Sequence, residues 1–132
     1  MKKEWLRTIN YYPFLLTLLT LFLIVTRLFG LGRPSKHYFD EVYHAFTAQQ
    51  MLLGNKAAGE WWNTPPPGFA YEWTHPPIAK LGMVLGMKII GNSSLGWRIP
   101  GAFLGIGAGL LLYAISQKLF ANRFLSLATL FL

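Results

Sequence analysis

Hydrophobic residues occur in long uninterrupted runs along the chain, and one long polar segment separates the first run from the others. Residues 8–26 and residues 99–117 contain no charged side chain. About 20 helical residues cross ~30 Å of hydrocarbon, so both runs are long enough to span a membrane. We therefore predict spans at about 11–31 and 99–120, with Pro100 in the first turn of the second, where its missing N–H costs nothing.

Two shorter apolar runs extend this pattern. Residues 77–91 carry Lys80 and Lys88 near their ends, and both lysines can reach toward the interfaces. We predict a short or tilted span there, with a re-entrant or interfacial helix as the alternative. Residues 124–132 rise only about 13 Å as a helix and predict the start of a fourth span. We therefore expect residues 1–132 to be the N-terminal part of one larger membrane domain.

Glycines recur every four residues in two of these runs. Small residues at this spacing allow helix backbones to approach closely. The pattern predicts that the helix at 77–91 packs through its glycines against a glycine face on the following helix. The glycines are Gly82 and Gly86 in the first run, and Gly101, Gly105 and Gly109 in the second.

Basic residues precede the first run: Lys2, Lys3 and Arg7. They fit the n-region of a signal peptide, but the run exceeds a typical h-region and no small-x-small cleavage site follows, which favours a retained helix. The same residues predict a cytoplasmic N-terminus and an extracytoplasmic loop at about 33–76. Strict alternation of three spans then places Lys118 and Arg123 outside as well.

Composition supports an all-α integral membrane protein, a polytopic helical bundle. Apolar residues make up 53% of the chain, charged residues 13%, and the mean hydropathy is +0.35. The net charge of +7 is dispersed without a basic stripe, which argues against nucleic-acid binding. Cysteine is absent, which excludes disulfides and cysteine metal sites. Four of the five acids lie within residues 33–76, so the predicted loop is acidic.

Residues 40–53 of this loop predict an amphipathic juxtamembrane helix that Gly54 and Asn55 terminate. Its apolar stripe and the nearby tryptophans suit the headgroup layer. Asp40 and Glu41 fall in the first turn, where favourable interaction with the helix dipole is a sufficient local explanation. The stripe consists of Phe39, Val42, Tyr43, Phe46, Gln50 and Leu53.

A second polar motif, Tyr-Glu-Trp-Thr-His-Pro-Pro-Ile-Ala-Lys, occupies residues 71–80. Proline disfavours α-helical geometry in the residue before it, so His75 is expected on an extended turn, and Pro77 can start the next helix. Taken alone, the motif also fits a stiff junction with a surface histidine.

Three motifs follow one another in a fixed order: the Asp-Glu pair, His-Pro-Pro-x-x-Lys, and Trp-Arg-Ile-Pro-Gly-Ala-Phe-Leu-Gly at residues 97–105. This order resembles that of polyprenyl-phosphate-dependent glycosyltransferases of the GT-C class. The chain is most similar to dolichyl-phosphate-mannose protein O-mannosyltransferases and their bacterial relatives, from the first span to Phe120. The resemblance implies transfer of a hexose, mannose by this likeness, from a polyprenyl phosphate to an extracytoplasmic acceptor. A protein Ser/Thr hydroxyl is the implied acceptor, with inversion at the sugar, in a plasma or ER-type membrane.

The resemblance also implies roles for individual residues. Asp40 matches the acid that takes the acceptor proton, and Glu41 matches its partner. His75 and Lys80 match the mouth of the lipid-phosphate groove. This chain has Ile78-Ala79 where Leu-Gly is common, and Tyr43 stands where the Asp-Glu-x-His pattern has histidine, which argues against a direct role for His44. The implied substrate-binding residues are His75, Lys80, Glu72 and Tyr43.

Other hypotheses stay open at this level. A divalent cation could bind through the O and N ligands of four side chains, those of Asp40, Glu41, Glu72 and His75. The acceptor could be lipid A, with aminoarabinose as the sugar, or the chain could be a non-catalytic membrane or transporter subunit. The predicted topology places Arg98 and the Asn92-Ser-Ser glycosylation sequon at the cytoplasmic end of their helix, far from the acids.

Overall fold

The computed structural model describes residues 11–131, and the basic residues at 2, 3 and 7 lie outside that range. This part of the chain is helical and contains no strand. It divides into a terminal unit, residues 11–27 with 105–131, and a loop unit, residues 28–104. The helices are α1 (Tyr11–Leu28), α2 (His44–Leu52), α3 (Ile78–Ile90), α4 (Ser94–Phe120) and α5 (Arg123–Phe131), with short 3-10 turns at Phe39–Val42 and Lys56–Gly59.

Within residues 11–131, two helices are long and apolar enough to cross a membrane, α1 and α4. Their 18 and 27 residues rise about 27 and 40 Å. The apolar side chains of α1 are largely exposed, including Phe14 at 65% and Val25 at 56%, whereas Leu23 alone is buried in that helix. Such a surface suits contact with lipid. These helices lie where the sequence predicts its two long spans.

In the terminal unit, α1 and α4 run antiparallel. The hydroxyls of Tyr12 and Tyr113 are hydrogen-bonded, and Leu23, three turns further along α1, faces Gly109. The Arg123 guanidinium lies 5.2 Å from the centre of the Tyr12 ring. Residue 123 is therefore at the same end as the start of α1. This contact does not fit the expectation that three strictly alternating spans, with residues 77–91 as a crossing, place Arg123 on the side opposite the start of the first span.

Helix α3 forms at the predicted place, but its 13 residues rise only about 20 Å. It packs along α2 in the loop unit. The core of this unit consists of Ala45 and Ala48 from α2, Met87 from α3 and Trp97 from α4. The small alanine side chains let the two short helices approach each other.

The predicted continuous helix at 40–53 is divided at Tyr43, whose φ of −121° and ψ of −45° separate a 3-10 turn from α2. This break changes the buried face. Phe39 and Leu53, assigned to the apolar stripe, are 77% and 68% exposed, whereas residues 45–48 are buried. Gly54 ends the helix as predicted, with φ of +73°.

The glycines of α3 face Pro100 rather than a glycine face of α4. A Cβ at Gly86 would lie 2.3 Å from the Gly96 carbonyl oxygen and 2.6 Å from Cγ of Pro100, whereas a Cβ at Gly101 meets open space. Because α4 already begins at Ser94, Pro100 lies inside the helix and not in its first turn. The close approach of α3 to the start of α4 thus depends on Gly86.

Gly86→Ala should destabilise the loop unit by about 1–3 kcal/mol, because the new methyl group meets backbone that cannot move aside. Gly82→Ala is the matched control on the same helix, since its Cβ would make only an ordinary 3.8 Å contact with Pro100. Thermal unfolding of the detergent-solubilised protein measures both variants. Equal melting temperatures for the two would contradict the packing described here.

Candidate functional site

A buried carboxylate, Glu72, organises the polar side of the loop unit. Its side chain is 5% exposed and forms an ion pair with Lys80, which is 3% exposed. Oε1 of Glu72 also accepts hydrogen bonds from the backbone N–H of Thr74 and of His75, both at 2.9 Å. Lys80 therefore does not reach toward a membrane interface as predicted; it turns inward to the acid.

Hydrogen bonding keeps Glu72 ionised. Burial by itself raises the pKa of this carboxyl, but hydrogen bonds from Lys80, Thr74 and His75 outweigh that effect and hold the pKa well below its usual range. The Thr74 hydroxyl donates to Oε1 at 2.5 Å. The Glu72 backbone N–H donates in turn to the Thr47 hydroxyl of α2 at 2.8 Å, which fixes the segment to the helix.

Two histidines face this carboxylate. Nδ1 of His75 lies 2.8 Å from Oε1 of Glu72, and Nδ1 of His44 lies 3.7 Å from Oε2. The two imidazole rings are 5.1 Å apart, edge to face. Burial, the largest effect, lowers the pKa of His44 and favours its neutral form, whereas the nearby Glu72 acts in the opposite direction. The resemblance gave His44 no direct role, yet the fold places it between Tyr43 and His75.

Asp40 lies exposed on the 3-10 turn beside this cluster. A hydrogen bond with Asp40 is the largest contribution to the raised pKa of Tyr43. The Tyr43 and His44 rings are 4.6 Å apart, which connects Asp40 to the histidine pair through neighbouring side chains. Phe39, just before Asp40, has a φ of +50°, a strained conformation for a residue with a side chain.

Glu41 points elsewhere, to Arg98 at the start of α4. Nε of Arg98 lies 2.5 Å from Oε1, and its Nη2 lies 2.7 Å from Oε2. Arg98 also donates to the Leu31 carbonyl at 3.0 Å, so it joins the end of the first predicted span to the acid pair. The expectation that Arg98 lies far from the acids is therefore wrong.

The glycosylation sequon is also misplaced by the predicted topology. Oδ1 of Asn92 accepts a hydrogen bond from Gln49 of α2 at 2.8 Å, and the Ser94 hydroxyl donates to the Gly32 carbonyl at 2.7 Å. The turn between α3 and α4 thus belongs to the loop unit. The beginning of α4 and the loop lie together, which follows from α3 folding back on α2.

Two clefts meet at the Glu41–Arg98 pair. An apolar groove of about 340 Å³ runs between α3 and α4, with Met83 and Leu104 among its walls. A more open cleft, also of about 340 Å³, contains Asp40 and Arg33. Both are lined by Leu31, Glu41 and Arg98. A ligand with a long apolar chain and a polar head could occupy the two clefts together.

The metal hypothesis gains no support from this geometry. Within residues 11–131, no three His, Asp or Glu side chains are grouped so as to hold an ion. Both oxygens of Glu41 bind Arg98, which separates this carboxylate from Asp40 and His75. Glu72 is already occupied by protein donors.

The chain resembles curated proteins named polyprenol-phosphate-mannose–protein mannosyltransferase. It is 31% identical over 105 residues to the protein of Mycobacterium tuberculosis and 29% identical over 105 residues to that of Mycolicibacterium smegmatis, covering 77% of this chain in both cases. The protein of Corynebacterium glutamicum is 30% identical over 123 residues, or 89% of this chain. This likeness supports the mannosyltransferase family for the segment that the chain covers.

The chain spans about a fifth of the length of these relatives, between 19% and 22%. No family model matches it. No solved structure matches it either. The likeness to these proteins, together with two apolar helices of sufficient length among residues 11–131, supports a membrane protein with transmembrane helices.

The structure brings together most of the residues that the sequence singles out. Asp40, Tyr43, Glu72, His75 and Lys80 lie in one cluster, whereas Glu41 turns to Arg98. The roles assigned to them stay predictions. Sequence reasoning missed the contributions of His44, Thr74 and Arg98, although Arg98 belongs to a motif that carries the resemblance.

Lys80→Met should lower the free energy of unfolding by about 3–5 kcal/mol, because it leaves the Glu72 carboxylate buried without its cation. Lys56→Met on the exposed 3-10 turn is the matched control and should change stability by less than about 0.5 kcal/mol. Chemical denaturation in detergent measures both. A loss no larger than that of the control would show that Lys80 and Glu72 are not a buried pair.

The Glu41–Arg98 pair should make stability depend on pH. Burial raises the pKa of Glu41, but hydrogen bonds led by that from Arg98 leave it below the ordinary value of 4.5. A lowered folded-state pKa contributes stability above pH 4.5 that is lost as pH falls through the lower value. The stability difference between wild type and Glu41→Gln should therefore be constant from neutral pH to about 5 and shrink at more acidic pH. Melting temperatures across this range test it, and a pH-independent difference would contradict it.

Proposed function

We propose that this segment contributes the acid, the phosphate-binding turn and part of the lipid groove to a membrane enzyme. That enzyme transfers mannose from a polyprenyl phosphate to a protein Ser/Thr hydroxyl. The names of the relatives support the donor and the acceptor class. The observation that carries the proposal is the placement of an exposed carboxylate, Asp40, beside a turn that presents His75 and that the buried Glu72–Lys80 pair holds in place.

The proposed chemistry needs few groups. A sugar on a lipid phosphate has a good leaving group, so the enzyme must accept the hydroxyl proton and stabilise the departing phosphate. Asp40 serves as the base, and His75 serves as a donor to the phosphate. Displacement from the face opposite the phosphate inverts the anomeric carbon. Glu41 does not face the acceptor directly; its ion pair with Arg98 holds the turn that carries Asp40.

The two adjoining clefts support a lipid-linked donor. The groove between α3 and α4 is almost entirely apolar, which suits prenyl units, and it meets the Asp40 cleft at Arg98. The apolar chain of the donor would lie in this groove, with its phosphate at the polar end. The sugar would then extend toward Asp40.

A topology follows for the whole segment. We propose that α1 crosses from the cytoplasm, that α2 and α3 lie at the outer membrane surface, and that α4 returns. The antiparallel contacts of Tyr12 with Tyr113 and Arg123 support this path. Lys118 and Arg123 then join the basic N-terminus on the cytoplasmic side, in agreement with the positive-inside rule.

Asp40→Asn in the full-length protein should reduce mannose transfer by about 10²–10⁴-fold, because the amide cannot accept the acceptor proton. Membrane insertion should be unchanged, since Asp40 is exposed. Labelled polyprenyl-phosphate-mannose and a Ser/Thr-rich acceptor peptide provide the assay.

Glu60→Gln is the control, because Glu60 bonds to Asn63 and has no assigned role. Wild-type turnover by Asp40→Asn would remove Asp40 as the base. Transfer to lipid A rather than to the peptide would replace the proposed acceptor class.

A further inference from the structure

We infer that Glu72 is a positioning residue that fixes the tautomer of His75 and directs the Nε2 of that ring to the phosphate of the lipid-linked sugar. The inference rests on the proposed function for its substrate. Its structural part, the site of the proton on His75, stands independently of activity.

The proton position follows from the inventory of donors around Oε1 of Glu72. An ionised carboxylate only accepts hydrogen bonds, and the Nδ1 of His75 lies 2.8 Å from Oε1. A bare Nδ1 would direct its lone pair at this negative oxygen. Nδ1 therefore carries the proton, and its N–H donates a hydrogen bond to Oε1 of Glu72.

The Thr74 hydroxyl leaves no alternative donor for Nδ1. It lies 2.5 Å from Oε1 of Glu72 but 3.1 Å from Nδ1 of His75, so its single proton points to the carboxylate. The backbone N–H of His75 also donates to Oε1. Glu72 therefore holds His75 through two hydrogen bonds, one to its backbone and one to its imidazole ring. His75 is thus held by the acid three residues before it.

The remaining ring nitrogen is presented outward. The His75 side chain is 65% exposed, and Nε2 is on the side of the ring away from the bond to Glu72. The charged and titratable groups around it are Glu72, Lys80 and His44. In the protonated ring, Nε2 donates a hydrogen bond to an anionic oxygen while Glu72 holds the other proton in place.

The step balances when His75 is an imidazolium, whose Nε2 proton comes from solvent water and stays on the ring throughout. The acceptor oxygen forms a bond to the anomeric carbon, its proton moves to Asp40, and the bond from that carbon to the phosphate oxygen breaks. The electron pair stays on the departing lipid phosphate. A hydrogen bond from Nε2 of His75 to that phosphate stabilises the charge that develops there.

Glu72 also neutralises Lys80, so a simple loss of activity in Glu72→Gln would not separate positioning from folding. A double-mutant cycle with His75→Lys makes the separation. A lysine ammonium has no tautomer for Glu72 to fix, whereas the ion pair with Lys80 is present in both backgrounds.

In the full-length protein, Glu72→Gln should lower kcat for mannose transfer by about 100-fold when residue 75 is histidine, the scale expected for a misplaced catalytic group. KM for the donor should change little. In the His75→Lys background the loss should be several-fold smaller. Glu60→Gln should leave kcat unchanged in both backgrounds.

Equal losses of kcat in the two backgrounds, or no loss with histidine present, would overturn the inference.

Nitrogen-15 NMR of the wild-type protein measures the proton position on His75 directly, with the His75 resonances assigned by their absence from the spectrum of His75→Lys. A protonated Nδ1 with an unprotonated Nε2 in the neutral ring supports the inference, and the opposite tautomer overturns it whatever the kinetics. Absence of transfer by the wild type would reject the proposed function while the tautomer result stands.

Discussion

The loop unit depends on one buried ion pair, Glu72 with Lys80. Burying two charges costs several kcal/mol each, which is recovered only where geometry and further hydrogen bonds are favourable. Here the carboxylate receives donors from Thr74 and His75 as well as from the lysine. The contact joins the segment before the proline pair to the first turn of α3. It therefore determines where His75 lies, and any chemistry at that turn depends on it.

The two adjacent acids at residues 40 and 41 have opposite surroundings. Glu41 is engaged by the Arg98 guanidinium through both oxygens, whereas Asp40 is exposed and interacts with Tyr43. Successive side chains along a 3-10 turn point about 120° apart, so one acid can secure the turn while its neighbour faces solvent. A carboxylate already held by a guanidinium is a poor proton acceptor. The geometry thus gives a physical reason to assign the base role to Asp40 and a structural role to Glu41.

The sequence predicted the helices well but not the way in which they meet. Apolar periodicity is local, so α1, α3 and α4 were found near their observed positions. The Glu41–Arg98 contact joins residues 57 positions apart, and no periodicity reports such a pair. Lys80 was expected to reach the interface because it stands near the end of an apolar run. Its burial depends on Glu72, which the sequence analysis named as a substrate-binding residue or a cation ligand and not as the partner of Lys80.

The interpretation of α3 as a crossing has a larger consequence than its length suggests. It assigned the residues after 91 to the side opposite the loop, and so separated Arg98 from the acids. In the loop unit, this helix of about 20 Å packs on α2, and Arg98 contacts Glu41. The Arg98 contact places the start of α4 beside the acid pair in the loop unit. Separately, the Arg123 contact places the start of α5 beside the start of α1 in the terminal unit. Within the loop unit, the acids, the histidine turn and the mouth of the apolar groove therefore lie in one region, which is the arrangement that the proposed chemistry needs.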